Sequence, residues 1–225
     1  MAGFARGVAL VAAKDLRIEL RGRHAMGTIL PFAGTLLIAF GLSLGPGKRL
    51  LEDAAPGLLW LALLFGSVLS FRRSYEIEGE DAALEGLLLA PVDKAVVYLG
   101  KGAAVGLQLL VLQAFVLALV FVLFDLPLGE SPGVLAGAVV LGTVGLSAVG
   151  CLFGVLTESP QARESVFPLL VLPLVTPIMV AGEKATAVAT GSGAGGAGQW
   201  LGLLAAFDVL FVAAGTLVFG YLLED

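Results

Sequence analysis

"AVVYLGKGAAVGLQLLVLQAFVLALVFVLF", residues 95–124, carries one charged side chain, Lys101, in thirty positions. A membrane-spanning helix needs about 20 apolar residues to cross roughly 30 Å of hydrocarbon. This run is longer than that, so it should tilt or project beyond the bilayer. The rest of the chain has the same character. Its 225 residues are 58% hydrophobic and 14% charged, against about 25% charged in soluble domains. A soluble core of this size would need polar residues interleaved at helical or strand period, and they are absent. The chain reads as an all-α integral membrane protein, its partner the lipid bilayer. No arginine-rich or aromatic-interleaved patch suggests nucleic acid.

Six spans are predicted, at about 26–44, 56–71, 95–124, 132–156, 165–182 and 199–222, within a single transmembrane domain over 1–225. The second is short and should borrow flanking residues. The run GVALVAA (7–13) imitates a signal peptide, but the residues after it are charged and amphipathic rather than the start of a soluble domain. The fifth span carries Pro168, Pro173 and Pro177. Each proline removes a backbone donor, so this helix should be kinked or broken. The next stretch, ATAVATGSGAGGAGQ (185–199), lacks the lysine and strand context of a phosphate loop and reads as a flexible external linker. The fourth span is rich in small residues (Gly137, Gly142, Gly145, Ser147, Gly150, Gly154), and GCLFG (150–154) and GAAVG (102–106) fit the G-x-x-x-G spacing of close helix approach.

Orientation comes from lysine and arginine in the loops. With the N-terminus cytoplasmic, the inside holds Arg6, Lys14, Arg17, Arg21, Arg23, Arg72, Arg73, Lys94, Lys101 and Arg163, and the outside holds Lys48, Arg49 and Lys184. Ten against three places both termini in the cytoplasm.

Two segments outside the spans are amphipathic. In residues 6–24, Lys14, Arg17 and Arg21 share one helical face, with Val11 and Ile18 on an adjacent one. A basic face suits anionic headgroups, so this reads as an interfacial helix on the inner leaflet. Residues 72–91 differ in sign. Seven of the fourteen residues from Arg72 to Glu85 are charged, among them Arg72, Arg73 and Glu76. On a helix, Ile77, Leu84, Leu87 and Leu88 form an apolar side, while Glu78, Asp81 and Glu85 line up on the adjacent face until Pro91 ends it. An acidic face is wrong for anionic lipid and right for a protein. These residues are predicted to form a coupling helix that receives motion from a soluble partner, its leucine side seated on the membrane domain.

The stretch RRSYEIEGEDAALEGLLLAPVDKAVVYLGK (72–101) resembles the signature of the CcmB family, the permease subunit of the cytochrome c maturation ABC transporter. In that family an arginine and acidic residues lead into D-x-x-L-E-x-L-L-x-x-P, with a lysine about ten residues on. The matching positions are Arg73, Glu78, Asp81, Leu84, Glu85, Leu87, Leu88, Pro91 and Lys101. AAKDLRIELR (12–21) and FPLLVLPLVTPIMV (167–180) are also similar to the family's. The resemblance implies an ABC-2-type exporter membrane domain in the bacterial inner membrane, working as a homodimer. Its implied partners are a CcmA-like ATPase, which binds the ATP, and a CcmC-like haem-handling protein; the implied role is haem delivery or release of the haem chaperone. The alternative is an ABC-2-type permease exporting a lipid, glycan or drug. A membrane enzyme or ion-coupled carrier fits less well, since only Asp208 lies deep in a span.

The residues themselves encode no ATPase. GLSLGPGKR (41–49) is the nearest approach to a phosphate loop, but it has Leu42 where the first glycine should be and Arg49 after Lys48. No cofactor is assigned to this chain, and haem is a possible substrate of the complex. Cys151, Met179 and His24 could each ligate haem iron, but Cys151 lies among small packing residues, Met179 fills an apolar span and His24 lies at the membrane surface. The single cysteine excludes an intramolecular disulfide. Counting from the span ends puts Asp208 roughly 14 Å below the outer face and Gln108 roughly 18 Å above the inner one, at similar depth. The two are predicted to hydrogen-bond between the third and sixth spans.

Overall fold

The computed structural model describes residues 2–22, 24–81, 93–126, 131–155 and 160–222, with side chains described for 3–19, 27–71, 93–126, 131–154 and 169–219. Among the described residues there are seven α-helices and no strand: α1 (Ala2–Gly22), α2 (His24–Leu44), α3 (Lys48–Asp81), α4 (Lys94–Phe124), α5 (Pro132–Val155), α6 (Pro160–Ala189) and α7 (Ala197–Leu222). Helices α2 to α7 each carry a stretch long and apolar enough to cross a membrane: Gly27–Leu44, Lys48–Phe71, Lys94–Phe124, Pro132–Gly154, Leu169–Ala189 and Ala197–Phe219. Only helices and closed barrels can span hydrocarbon, because every backbone polar group must be satisfied internally.

The helix ends are set by local chemistry. Asp93 caps α4, its carboxylate accepting from the Ala95 N–H at 2.9 Å. Pro132 and Pro160 open α5 and α6, where a missing N–H costs nothing. At the end of α6, Ser192 N–H donates to the Ala187 carbonyl at 3.0 Å and Gly191 N–H to the Val188 carbonyl at 3.3 Å, with Gly191 at φ +82°. This is the Schellman arrangement, and glycine is the residue that reaches its left-handed position without strain.

The short second span borrows flanking residues as expected, its apolar stretch reaching back to Lys48. The coupling segment does not start as a separate helix, because the 34-residue α3 continues without interruption through 72–81. Of the two outcomes expected for the proline-spaced fifth span, a kink or a break, the break is excluded: α6 is one helix from Pro160 to Ala189. Packing of α3, α5 and α7 against it outweighs the lost backbone bonds. Residues 185–189, read as linker, are the last turn of α6, held there because Ala185, Thr186, Ala187 and Ala189 are buried in the bundle.

Helices α3 and α5 are the most enclosed spans, α2 and α7 the least. Helix α4 touches α1, α2, α3, α5 and α7. Against it lies α1: a Cβ on Gly7 would come within 2.9 Å of Val96, and one on Gly100 within 2.6 Å of Val11 Cβ and 3.0 Å of the Val8 carbonyl. Both contacts advance by four residues on each helix, so α1 runs alongside the start of α4 in the same direction. The Gly7–Val11 stretch of α1 thus rests on α4.

Candidate functional site

The interior of the bundle is built on aromatic rings seated over glycines. The Trp60 ring on α3 occupies the space where Gly142 of α5 and Gly182 of α6 have no side chain. Its indole N–H donates to Thr186 Oγ1 at 2.9 Å, which answers the one polar atom of a fully buried tryptophan. Phe71 of α3 fills the same kind of seat at Gly150. Tyr98 of α4 presses on Gly215 of α7, and its hydroxyl lies 3.0 Å from the Ala148 carbonyl and 3.2 Å from that of Phe211. The small residues of the fourth span therefore act as sockets for rings as well as points of close backbone approach.

Polar groups line the same interior. On α5, Thr143 Oγ1 sits 2.9 Å from Gln113 Oε1 of α4 and 2.7 Å from the Val139 carbonyl of its own helix. Gln113 is completely buried, and its Nε2 has no hydrogen-bond partner among the described residues. Sequence reasoning does not single out Gln113 and Thr143, although a glutamine in an apolar span is visible five residues beyond Gln108. Lys101, counted with the inner-face cations, is buried within α4.

Asp208 and Gln108 are both buried, but the bond predicted between them is absent. Neither Asp208 carboxylate oxygen has a hydrogen-bond partner among the described residues. The side chain turns instead toward α5 and α6: a Cβ on Gly145 would lie 2.7 Å from Asp208 Oδ1 and 2.9 Å from Ile178 Cδ1. The error comes from measuring depth at the span ends. Tyr98 sets the real register, because it reaches Phe211 and Gly215 of the antiparallel α7. Gln108 stands ten residues, about 15 Å, further along α4, whereas Asp208 is one turn from Phe211.

At the end where α2 turns into α3, Lys48 Nζ reaches Asp125 Oδ2 at 2.7 Å across 77 positions of sequence, with Glu52 at 3.8 Å. Asp125 is the C-cap of α4 and adopts a left-handed conformation. The Lys48 ammonium hydrogen-bonded to it holds its carboxyl below the usual carboxylate range. This pair fastens the α2–α3 turn to the end of α4, so the two turns assigned to the outside share one face of the molecule.

For the coupling segment, α3 carries Arg72, Arg73, Glu76, Ile77, Glu78 and Asp81 in helical conformation, with their side chains outside the described set. Leu84, Glu85, Leu87 and Leu88 lie outside the described residues. Of the candidate iron ligands, Cys151 is buried, Met179 is half-buried and the side chain of His24 is outside the described set. Among the described residues no group of three or more His, Cys, Asp or Glu could hold a metal ion.

Comparison with known proteins gives one consistent relationship. The profile of the CcmB protein family matches residues 7–224. Heme exporter protein B of Pseudomonas aeruginosa is 31% identical over 179 residues, covering 78% of this chain and 78% of that protein. The heme exporter protein B of Rhodobacter capsulatus is 32% identical over 177 residues, 76% of this chain and 78% of the relative. That of Paracoccus denitrificans is 32% identical over 176 residues, with the same coverage of 76% and 78%.

Proposed function

The chain belongs to the CcmB protein family, and from that premise we propose that it is the membrane permease subunit of a haem-export ABC transporter serving c-type cytochrome biogenesis. The observation that carries the reading is the family match over residues 7–224, which takes in all six candidate spans. Energy comes from a separate CcmA-like ATPase, because this chain's nearest approach to a phosphate loop is degenerate. Two copies of the chain provide the two membrane domains that an ABC exporter requires. The complex sits in the bacterial inner membrane with both termini of this chain cytoplasmic, which the ten-to-three distribution of basic residues supports.

Haem is cargo of the complex, and a CcmC-like partner handles it. This chain transmits the ATPase's motion, either to haem delivery or to release of the loaded haem chaperone. A permease exporting a lipid, glycan or drug is the disfavoured alternative. Affinity purification of the chain with the products of neighbouring genes separates the two. A CcmA-like ATPase and a haem-binding membrane protein are expected together. Recovery of an ATPase with a lipid- or glycan-processing enzyme instead would overturn the haem assignment.

A further inference from the structure

Between α1, α4, α5 and α7 lies an apolar groove of about 490 Å³. Ala12 and Leu16 of α1 overhang one end, Leu99, Gly102 and Ala103 of α4 form that end's floor, and Val140 and Val144 of α5 flank it. Along α4 it runs from Leu99 to Leu110, about 17 Å at 1.5 Å per residue. Three side-chain hydroxyls border it, those of Tyr98, Thr143 and Ser147. All three are already engaged: Tyr98 with the carbonyls of Ala148 and Phe211, Thr143 with Gln113 and the Val139 carbonyl, and Ser147 with the Val144 carbonyl. No hydroxyl proton is left for an occupant and the rest of the lining is apolar, so the groove suits a hydrocarbon chain better than a polar solute.

The end beneath α1 has the opposite character. Leu16 is followed by Arg17, which is exposed, while Lys14 is engaged by Asp15 at 3.0 Å. Arg17 is an exposed cation on the stretch of α1 that also carries the groove-lining Ala12 and Leu16, so positive charge lies beside this end of the groove, where a phosphate at the membrane surface would meet it. We propose that this groove holds one acyl chain of an anionic phospholipid, whose phosphate is bound by Arg17. The lipid fills the space between α1 and the span bundle and so fixes α1 in place. This inference is independent of what the transporter moves.

The full chain, purified in mild detergent, is exposed to phosphatidylglycerol or phosphatidylcholine, delipidated by washing, and analysed for retained phospholipid by native mass spectrometry. Wild type should retain one phosphatidylglycerol per chain in preference to phosphatidylcholine. Gly102→Leu should lose it, and so should Ala103→Phe as an independent filler. A Cβ at Gly102 meets nothing within 4 Å, so the first substitution fills the groove without disturbing the fold. Arg17→Gln should keep a bound phospholipid but weaken the preference for the anionic headgroup about fivefold, which corresponds to about 1 kcal/mol for one basic residue at a lipid surface. Equal retention of both lipids by wild type, or unchanged retention in both filled variants, overturns the proposal. So does a change in the number of chains per particle in Gly102→Leu, since the groove would then seat a second copy.

Discussion

At the scale of single residues, Trp60 ties three helices together, and its removal should be the costliest change in the interior. Trp60→Ala leaves the space beside Gly142 and Gly182 empty and Thr186 without its donor. A loss of about 3–5 kcal/mol is expected, against about 1 kcal/mol for Thr186→Val, measured by unfolding in detergent. Asp208 should behave in the opposite way. Its carboxylate occupies a buried site with no hydrogen bond among the described residues. Inserting an acid at mid-span costs about 2.5–3.5 kcal/mol on translocon scales, so Asp208→Leu should raise the melting temperature. If export activity falls at the same time, the acid is retained for the transport cycle; a lowered melting temperature would show an unseen stabilising partner. Asp125 makes a prediction about pH. Its folded pKa is depressed by Lys48, so the contribution is complete above the ordinary carboxylate range near 4 and is lost as pH falls through the lower folded value. The melting difference between wild type and Asp125→Asn should therefore stay constant from neutrality to about pH 5 and shrink only in stronger acid. A difference that disappears between pH 7 and pH 5 would contradict the pairing.

At the scale of elements, the sequence is most informative where length and hydropathy decide, and least where packing partners decide. Apolar helices such as Gly27–Leu44 and Lys94–Phe124 are legible in the sequence, because charged and turn-forming residues mark where each apolar run stops. The glycines at 142 and 150 are legible as packing positions but not as sockets, since nothing in the fourth span names Trp60 or Phe71 as the occupant. The Asp208–Gln108 error has the same source: helix register comes from side-chain contacts such as Tyr98 with Gly215, which span boundaries do not encode. The extent of α6 is hidden by its prolines and by the glycines that follow Ala189, residues that local propensity assigns to a linker. The coupling segment is tested at this scale. Glu78→Lys with Asp81→Lys should reduce co-purification of the ATPase while leaving membrane insertion intact. Unchanged co-purification together with unchanged ATP-dependent function would remove the coupling role.

At the scale of the whole molecule, the predicted orientation puts the α6–α7 turn outside and the end of α3 inside. In Ala194→Cys, placed in an exposed turn, a membrane-impermeant thiol reagent should react with intact cells. In Glu80→Cys it should react only after permeabilisation. Cys151, the single native thiol, is buried and should give little background. Reaction of position 80 in intact cells would invert the orientation and with it the coupling proposal.

The unbroken course of α3 has a mechanical consequence. Thirty-four residues at 1.5 Å each make a rod of about 51 Å, some 20 Å longer than the hydrocarbon it crosses. A hydrogen-bonded rod neither stretches nor folds under modest force. A push on its Asp81 end has no joint before Phe71 in which to dissipate. It must arrive as a tilt or slide of the rod as far as Pro56, where α3 loses a backbone hydrogen bond, and Trp60, gripped between α5 and α6, stands where the fulcrum would be. A flexible glycine insert near position 74 would test this, since it should uncouple the two ends while leaving both halves folded.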